Sequence, residues 1–224
     1  MRLSHVFWTT IALLGASLGQ AITLDMTMLP TAQGWNYLVD GNRASISEAA
    51  AFSVSGGSLH QSLTGHSYGS GGYALYSRAN PFADVDFYLE ATAQVVKEES
   101  TTPKSPYGLS FGVATNYGYA LFGIASDRYA LYNKPAVAFD GTQVHTYRLV
   151  GKKATKTMDL FIDGVQVVNN QAMPQINSNL GLFFADSTGY TNTDGKLLSY
   201  GVVPEPATGL AALLLLPVLR RRRK

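Results

Sequence analysis

The pattern in this sequence that most resembles a reactive site is a short Gly/Ser-rich segment, Gly65-His66-Ser67-Tyr68-Gly69. It fits G-x-S-x-G, in which the serine is a hydrolase nucleophile held on a sharp turn between a buried strand and a helix. Candidate triad partners follow in the required order: Asp84, Asp86, Asp127 or Asp140, and then His145. The flanking residues carry no helical pattern, so we predict that Ser67 lies in a loop without a hydrogen-bonded His145 partner.

A second group consists of carboxylates near the start of one predicted strand. Asp84, Asp86 and Glu90 are all even-numbered, so they share one face of that strand. Two carboxylates that flank a glycosidic bond are the machinery of glycan hydrolysis. Carboxylates at the entrance of a strand are more typical of solvated charges, so no catalytic residue is assigned. A secreted glycan hydrolase remains the alternative function.

Metal ligands are sparse. His60 and His66 lie six residues apart in a chain without cysteine, which is typical of a solvated pair. Loop oxygens around Asp186-Ser187-Thr188 and Thr191-Asn192-Thr193-Asp194 suit calcium, although the polarity of turns explains them equally well. We predict no metal and no cofactor, with calcium as the open alternative.

Tyrosine is abundant, with 13 in the chain. Its ring offers an apolar face to a sugar and its hydroxyl offers a polar edge, whereas the alternative is that these rings simply fill strand faces. The tyrosines of interest are Tyr68, Tyr73, Tyr88, Tyr107, Tyr117, Tyr119 and Tyr190. Of these, the predicted glycan contacts are Tyr88, Tyr117, Tyr119 and Tyr190.

In the segments that must position these residues, apolar and polar residues recur with a period of two, which is typical of strands. From Asp86 to Val95 apolar and polar residues alternate, and Asp163-Gly164 is a two-residue hairpin turn. Further strands are predicted at 107–114, 117–124, 128–133, 145–151, 157–163, 165–167, 180–185 and 196–202. Only Ser45–Phe52 suits a short helical turn. The fold class is therefore all-β, a two-sheet antiparallel jelly-roll sandwich of about 11 to 14 strands. Its predicted buried residues are Phe87, Leu89, Phe111, Leu149, Leu160 and Ile162.

Charge excludes a nucleic-acid partner. Six of the 17 basic residues are Arg2 and the terminal Arg220–Lys224, and one of the 15 acids is Glu205. The remainder holds 11 basic and 14 acidic residues, so it has no excess of positive charge for a phosphate backbone.

The N-terminus has the three parts of a secretory signal. Met1-Arg2 is positive, Val6–Leu18 is mostly apolar, and Gly19-Gln20-Ala21 supplies small residues at a cleavage site. The apolar run is shorter than the ~20 residues that span a bilayer. We predict a signal peptide over residues 1–21, cleaved after Ala21 by signal peptidase.

The C-terminus carries a second signal. Val203-Pro204-Glu205-Pro206 precedes the apolar run Gly209–Leu219 and the Arg220–Lys224 cluster. As a helix, Ala207–Leu219 spans only about 20 Å, so the segment is a thin membrane anchor, with its cations on the cytoplasmic side. Proline restricts the motif to extended backbone, so Val203–Pro206 should be an extended, accessible strip.

These three parts, in this order, resemble a PEP-CTERM sorting signal over residues 203–224, with Pro204, Glu205 and Pro206 as the motif. The resemblance implies a Gram-negative source, recognition by an exosortase membrane transpeptidase, and a transient transmembrane helix in the inner membrane. It also implies delivery to the cell surface or the extracellular matrix.

The middle of the chain, residues 22–202, carries another resemblance. Gly34-Trp35, Asp86–Glu90, Tyr107–Gly112, His145–Leu149 and Leu160–Gly164 occur in this order. This is similar to the concanavalin A-like jelly roll of laminin-G, lectin and glucanase domains. The carboxylate spacing does not reproduce the Glu-x-Asp-x-(x)-Glu pattern of the hydrolases in that class. We therefore expect a non-catalytic exported surface protein that binds exopolysaccharide.

Overall fold

The computed structural model describes residues 20–100, 105–175 and 181–205, and these ranges consist mainly of strands. In chain order the strands are β1 (Ile22–Thr23), β2 (Asn36–Gly41), β3 (Phe52–Ser55), β4 (Ser58–Ser62), β5 (Gly72–Arg78), β6 (Phe87–Ser100), β7 (Leu109–Thr115), β8 (Gly118–Ile124), β9 (Arg128–Leu131), β10 (Val137–Ala138), β11 (His145–Lys152), β12 (Thr157–Ile162), β13 (Val165–Ala172), β14 (Leu182–Asp186) and β15 (Thr191–Pro204). A 3-10 turn (Pro30–Gln33) and the one-turn helix α1 (Glu48–Ala51) complete the described elements.

The strands form two antiparallel sheets. The eight-stranded sheet has the order β13-β12-β11-β6-β15-β4-β3, with β1 paired to β15, and the seven-stranded sheet has the order β10-β9-β8-β7-β14-β5-β2. The two-sheet, jelly-roll-like sandwich predicted from the sequence is thus confirmed. The described ranges hold 15 strands, more than expected, because β1 and β10 are two-residue pairings too short to show any periodicity.

The main core lies between the sheets. All six residues that the alternation predicted to be buried are buried: Phe87, Leu89, Phe111, Leu149, Leu160 and Ile162. Along β6 every second side chain from Phe87 to Val95 is buried and the intervening ones are partly exposed, as a strand with one core-facing side requires. Trp35 packs edge-on against Phe184 at 5.0 Å between ring centroids, which adds an aromatic contact to this core.

Local signals in the sequence explain two of the connections. Ser47 caps α1 by accepting a hydrogen bond from the Ala50 N–H, inside the Ser45–Phe52 segment where one helical turn was expected. Asp163 and Gly164 both have positive φ, 51° and 79°, as the two-residue turn between β12 and β13 requires.

The last strand is longer than predicted at both ends. β15 begins at Thr191, in the segment interpreted as a polar loop, and it continues to Pro204, two residues beyond the predicted domain boundary at 202. Pro204 is buried opposite Phe87, so the expectation of an accessible strip is wrong at this residue. Extended backbone favoured by proline can join the end of a strand.

Most of the predicted export signals lie outside the described residues, namely positions 1–19 of the signal peptide and Pro206 to Lys224 of the sorting tail. In the described part of the chain no helix is long and apolar enough to cross a membrane.

Candidate functional site

The seven-stranded sheet carries a second apolar cluster on its outer face, which we call the outer cluster. In β8, Ala120 and Phe122 belong to the main core, whereas Tyr119 and Leu121 alternate with them and point the other way. The buried members of the outer cluster are Leu75, Tyr119, Leu121 and Phe183, and the partly buried members are Leu38, Tyr73, Tyr107, Ala114 and Tyr132. The outer face of an antiparallel sheet is ordinarily polar. The four buried members of the outer cluster are covered, so its partly buried members, three of them tyrosines, form the candidate recognition surface.

Aromatic stacking gives the outer cluster its shape. The Phe183 and Tyr119 rings stack at 5.6 Å with 13° between their planes, and Tyr132 meets Tyr119 edge-on at 5.5 Å. Gly112 lies opposite Phe183 in the sheet, and a Cβ on Gly112 would lie 2.1 Å from the Phe183 ring. Glycine therefore allows this ring to lie against the sheet and support the tyrosines above it.

Phenol groups provide the polar part of this surface. The Tyr107 hydroxyl donates to the Leu131 carbonyl at 2.9 Å, which fixes that ring. Burial raises the pKa of Tyr119, and the neighbouring Tyr132 and Tyr107 raise it further, so its phenol stays neutral and can both donate and accept. Asp40 lies opposite Tyr73 in the β2–β5 pairing and adds an exposed carboxylate at the rim. The arrangement suits a ligand with both apolar and hydroxyl-bearing faces.

The four tyrosines predicted to contact glycan are not brought together. Tyr119 belongs to the outer cluster, but only 6% of the residue is exposed, so it supports the surface from below. Tyr117 is a core residue whose hydroxyl donates to the Val85 carbonyl at 2.7 Å, and burial rules out a solvent-facing ring. Tyr88 lies on the eight-stranded sheet beneath the Arg148 guanidinium. Tyr190 is exposed between β14 and β15.

The serine motif lies in the loop between β4 and β5, as predicted. The Ser67 carbonyl accepts from the Arg43 guanidinium at 2.5 Å and from the Asn42 amide at 3.2 Å. The His145 ring lies elsewhere, with Nδ1 2.6 Å from the Asp163 carboxylate and Nε2 3.0 Å from the Asp140 carbonyl. This geometry gives Ser67 no general base in His145.

Each predicted acidic residue has a cationic or backbone partner. Glu90 accepts two hydrogen bonds from Arg148, at 2.8 and 2.6 Å. The Lys153 N–H donates to Asp86 at 2.7 Å, while its ammonium lies 3.1 Å from Asp84. The three carboxylates thus form separate ion pairs and polar contacts along the sheet.

The oxygens proposed for calcium have other partners. Asp186 pairs with Arg43 at 2.9 Å, with both side chains fully buried, and Asp194 accepts from the Thr64 backbone and hydroxyl. His60 is in β4 and bonds Ser58 at 2.9 Å, whereas the His66 carbonyl accepts from Asn192. Among residues 20–100, 105–175 and 181–205, no group of three acidic or histidine side chains is placed to hold a metal ion.

No protein-family model matches the chain, and no curated protein matches it. A conserved carbohydrate esterase from the Shiga toxin-encoding bacteriophage phi24B is similar in structure, with 15% identity and a TM-score of 0.51, over 83% of this chain and 98% of that one. A sialidase is similar at 10% identity and a TM-score of 0.50, over 84% of this chain and 19% of that one. These likenesses show the fold. They place the chain among jelly-roll-like β-sandwiches.

This chain matches only part of the length of some of these enzymes. The chain spans 26% of the length of a Trypanosoma rangeli sialidase that it matches at 13% identity and a TM-score of 0.45. At these identities an argument about function must come from the residues of this chain.

Sequence reasoning missed Tyr132, Leu38 and Phe183 as parts of the surface. One signal for the outer cluster was present in β8, where the run Tyr119-Ala120-Leu121-Phe122 is apolar at both its odd-numbered and its even-numbered positions. A strand covered on both faces reads as a continuous apolar run. Tyr132 lies just beyond the end of β9. Its ring reaches Tyr119 because β8 and β9 are paired in the sheet, so no periodicity identifies it.

Proposed function

We propose that this chain is a non-catalytic exported surface or matrix protein that binds glycan through the outer cluster. The observation that carries the proposal is the aromatic surface on the solvent side of the seven-stranded sheet, with Tyr73 and Tyr132 at its partly exposed margin. Sugar C–H faces stack on such rings, while phenol and carboxylate groups bond the hydroxyls. An open surface buries little ligand, so the affinity should be weak.

Export to the surface is the second part of the proposal. It is supported by the predicted signals at both ends and by the way the domain begins. Ile22, the first residue after the predicted cleavage site at Ala21, already pairs with Val202 of the last strand. Of the described residues, cleavage there removes only Gln20 and Ala21, neither of which lies in a strand. The sorting tail would then hold the exported protein in the inner membrane until an exosortase processes it for delivery to the surface.

Affinity electrophoresis against matrix polysaccharides of the host tests the glycan proposal. Tyr132→Ala and Tyr73→Ala should each weaken retention about tenfold, since the stacking of a ligand on one aromatic ring contributes roughly 1–2 kcal/mol. Tyr68→Ala, an exposed tyrosine in the β4–β5 loop, is the matched control and should leave retention unchanged.

Two results would contradict this part of the proposal. One is equal retention of the wild type and both margin variants. The other is release of new reducing ends from a retained polysaccharide, which would favour the secreted glycan hydrolase.

A further inference from the structure

A groove on the opposite sheet carries the further inference. It crosses β6, β11 and β12 on the outer face of the eight-stranded sheet and has a volume of about 480 Å³. That volume lies within the range of small-ligand sites, roughly 300–1,000 Å³. Its lining includes Glu90, Thr146, Arg148, Val150, Asp159 and Phe161. We call it the Arg148 groove.

Arg148 is held in place although half of its side chain is exposed. It lies between Glu90 on one side and Phe161 on the other in the strand pairing. Its Nε and Nη2 donate to the same Glu90 oxygen, and its guanidinium carbon lies 5.1 Å from the centre of the Tyr88 ring. An ion pair and a cation–π contact together fix the donor geometry before any ligand arrives.

The charges of the groove indicate which ligands fit. Arg148 is balanced by Glu90, and Asp159 is balanced by Lys152 at 2.5 Å. Glu205 also lines the groove, and in the described ranges no cation lies within ion-pair distance of its carboxylate. The local charge is therefore slightly negative, which opposes uronate, sulfate or phosphate groups and leaves uncharged hydroxyl-rich ligands.

The lining has the donors, acceptors and apolar contacts that a sugar ring needs. The Arg148 guanidinium donates, the Glu90 carboxylate and Thr146 hydroxyl accept, and Val150 with Phe161 offers apolar contact. Resting on the glycan-binding function proposed above, we propose that the Arg148 groove is a second binding site for neutral saccharides. The chain then carries one saccharide site on each outer face of the sandwich.

This arrangement gives the protein a further activity, which is cross-linking of polysaccharide chains. Two packed sheets are separated by about 10 Å, and their outer faces point in opposite directions. One polymer chain cannot readily lie on both faces, so two chains are joined. Where the two joined chains belong to one polysaccharide network, the two weak sites raise the apparent affinity for that network by roughly 10²-fold or more without new contacts.

Binding stoichiometry tests the second site. The full chain in mild detergent is titrated with neutral gluco-, manno- and galacto-oligosaccharides, with an alginate oligosaccharide as the acidic comparison, and complexes are counted by native mass spectrometry. Arg148→Ala removes the donor, and Val150→Trp fills the groove while leaving Arg148 paired with Glu90. Gln94→Ala, on the same face of β6 but outside the groove, is the matched control.

The wild type and Gln94→Ala should bind two neutral oligosaccharides per chain and no alginate. Both groove variants should bind one, and so should Tyr132→Ala. Aggregation of polysaccharide-coated beads should fall at least tenfold in every one-site variant.

The remaining outcomes separate the two proposals. A single bound ligand that is lost with Tyr132→Ala and kept in both groove variants would overturn the second site and leave the outer cluster intact. A single ligand lost only in the groove variants would refute the outer cluster. Absence of any binding would refute both.

Discussion

At the residue scale, the ion pair between Arg43 and Asp186 joins three loops at one end of the sandwich. Both side chains are fully buried, and Arg43 also donates to the carbonyls of Ser67 and Thr191. Burial raises the pKa of Asp186 while the Arg43 guanidinium opposes that rise. A pair of this kind is costly to break because the charge that remains is buried away from water and has lost its partner.

Arg43→Leu should therefore lower the free energy of unfolding by about 3–5 kcal/mol. The double variant Arg43→Leu/Asp186→Leu should recover most of that loss, since no buried charge remains. Burial already raises the folded-state pKa of Asp186 to about 8, and without Arg43 it rises further, so the loss should be smaller at about pH 6 than at about pH 9. Urea unfolding at both pH values measures this. Equal stability of the single and double variants would refute the role of the unpaired carboxylate.

Asp163 gives a residue-scale prediction about pH. The hydrogen bond from His145 and another from the Thr146 N–H hold the pKa of Asp163 below its usual range. A depressed pKa contributes stability that is present above the unfolded value, ~4, and is lost as the pH falls through the folded value. Asp163→Asn, which tolerates the positive φ, should be less stable than the wild type at pH 6. Thermal unfolding should show the difference shrinking towards pH 3, and a constant difference would contradict this assignment.

Tyr117 and Tyr119 show what residue patterns can and cannot reveal. Both were predicted as glycan contacts for the same reason, their side-chain chemistry. Tyr119 points out of the sheet within β8, whereas Tyr117 precedes that strand and turns into the main core. The difference depends on where the β7–β8 turn ends, and no local signal in the sequence determines that position.

At the element scale, alternation predicted the strands best where only one face is buried. The start of β6, the limits of β11 and the turn at Asp163-Gly164 follow from local pattern and turn chemistry, whereas β6 continues beyond its predicted end at Val95 to Ser100. The start of β15 did not, because Thr191-Asn192-Thr193-Asp194 has the composition of a turn. Pairing with Lys97–Ser100 of β6 holds these residues in the sheet, so tertiary contacts override local preference.

The end of β15 gives a prediction about processing of the sorting signal. Pro204 pairs with Phe87, and the Glu205 N–H donates to the Asp86 carbonyl at 2.8 Å. An enzyme that binds extended substrate cannot reach this backbone until the strand end unpairs. We therefore expect processing on the C-terminal side of Glu205.

Intact-mass measurement of protein from an exosortase-bearing host checks this. The mature form should retain Glu205 and lack Arg220–Lys224. The same protein unfolded in urea and digested in vitro with a protease of broad specificity is the control, and it should be cut within 201–204. A mature form ending at Val203 or earlier would show that the strand end gives no protection.

At the scale of the whole molecule, stability depends on noncovalent packing and strand pairing, since the chain contains no cysteine and therefore no disulfide. The last strand is central to that packing. β15 lies between β6 on one side and β4 with β1 on the other, so the two ends of the domain meet inside one sheet. The cooperative unit should therefore include the residues up to Glu205.

The fragment 22–205 should unfold in one transition that a reducing agent does not change. The fragment 22–198 should lack fixed tertiary structure, because it loses the buried residues Tyr200, Val202 and Pro204 together with the partner of β1. Buried side chains contribute roughly 2–5 kcal/mol each against a total stability of about 5–15 kcal/mol. Near-ultraviolet circular dichroism and urea unfolding of both fragments measure the difference. Cooperative unfolding of 22–198 would mean that the sandwich closes without its final strand end, and it would remove the physical basis for protection of Pro204 in the processing prediction.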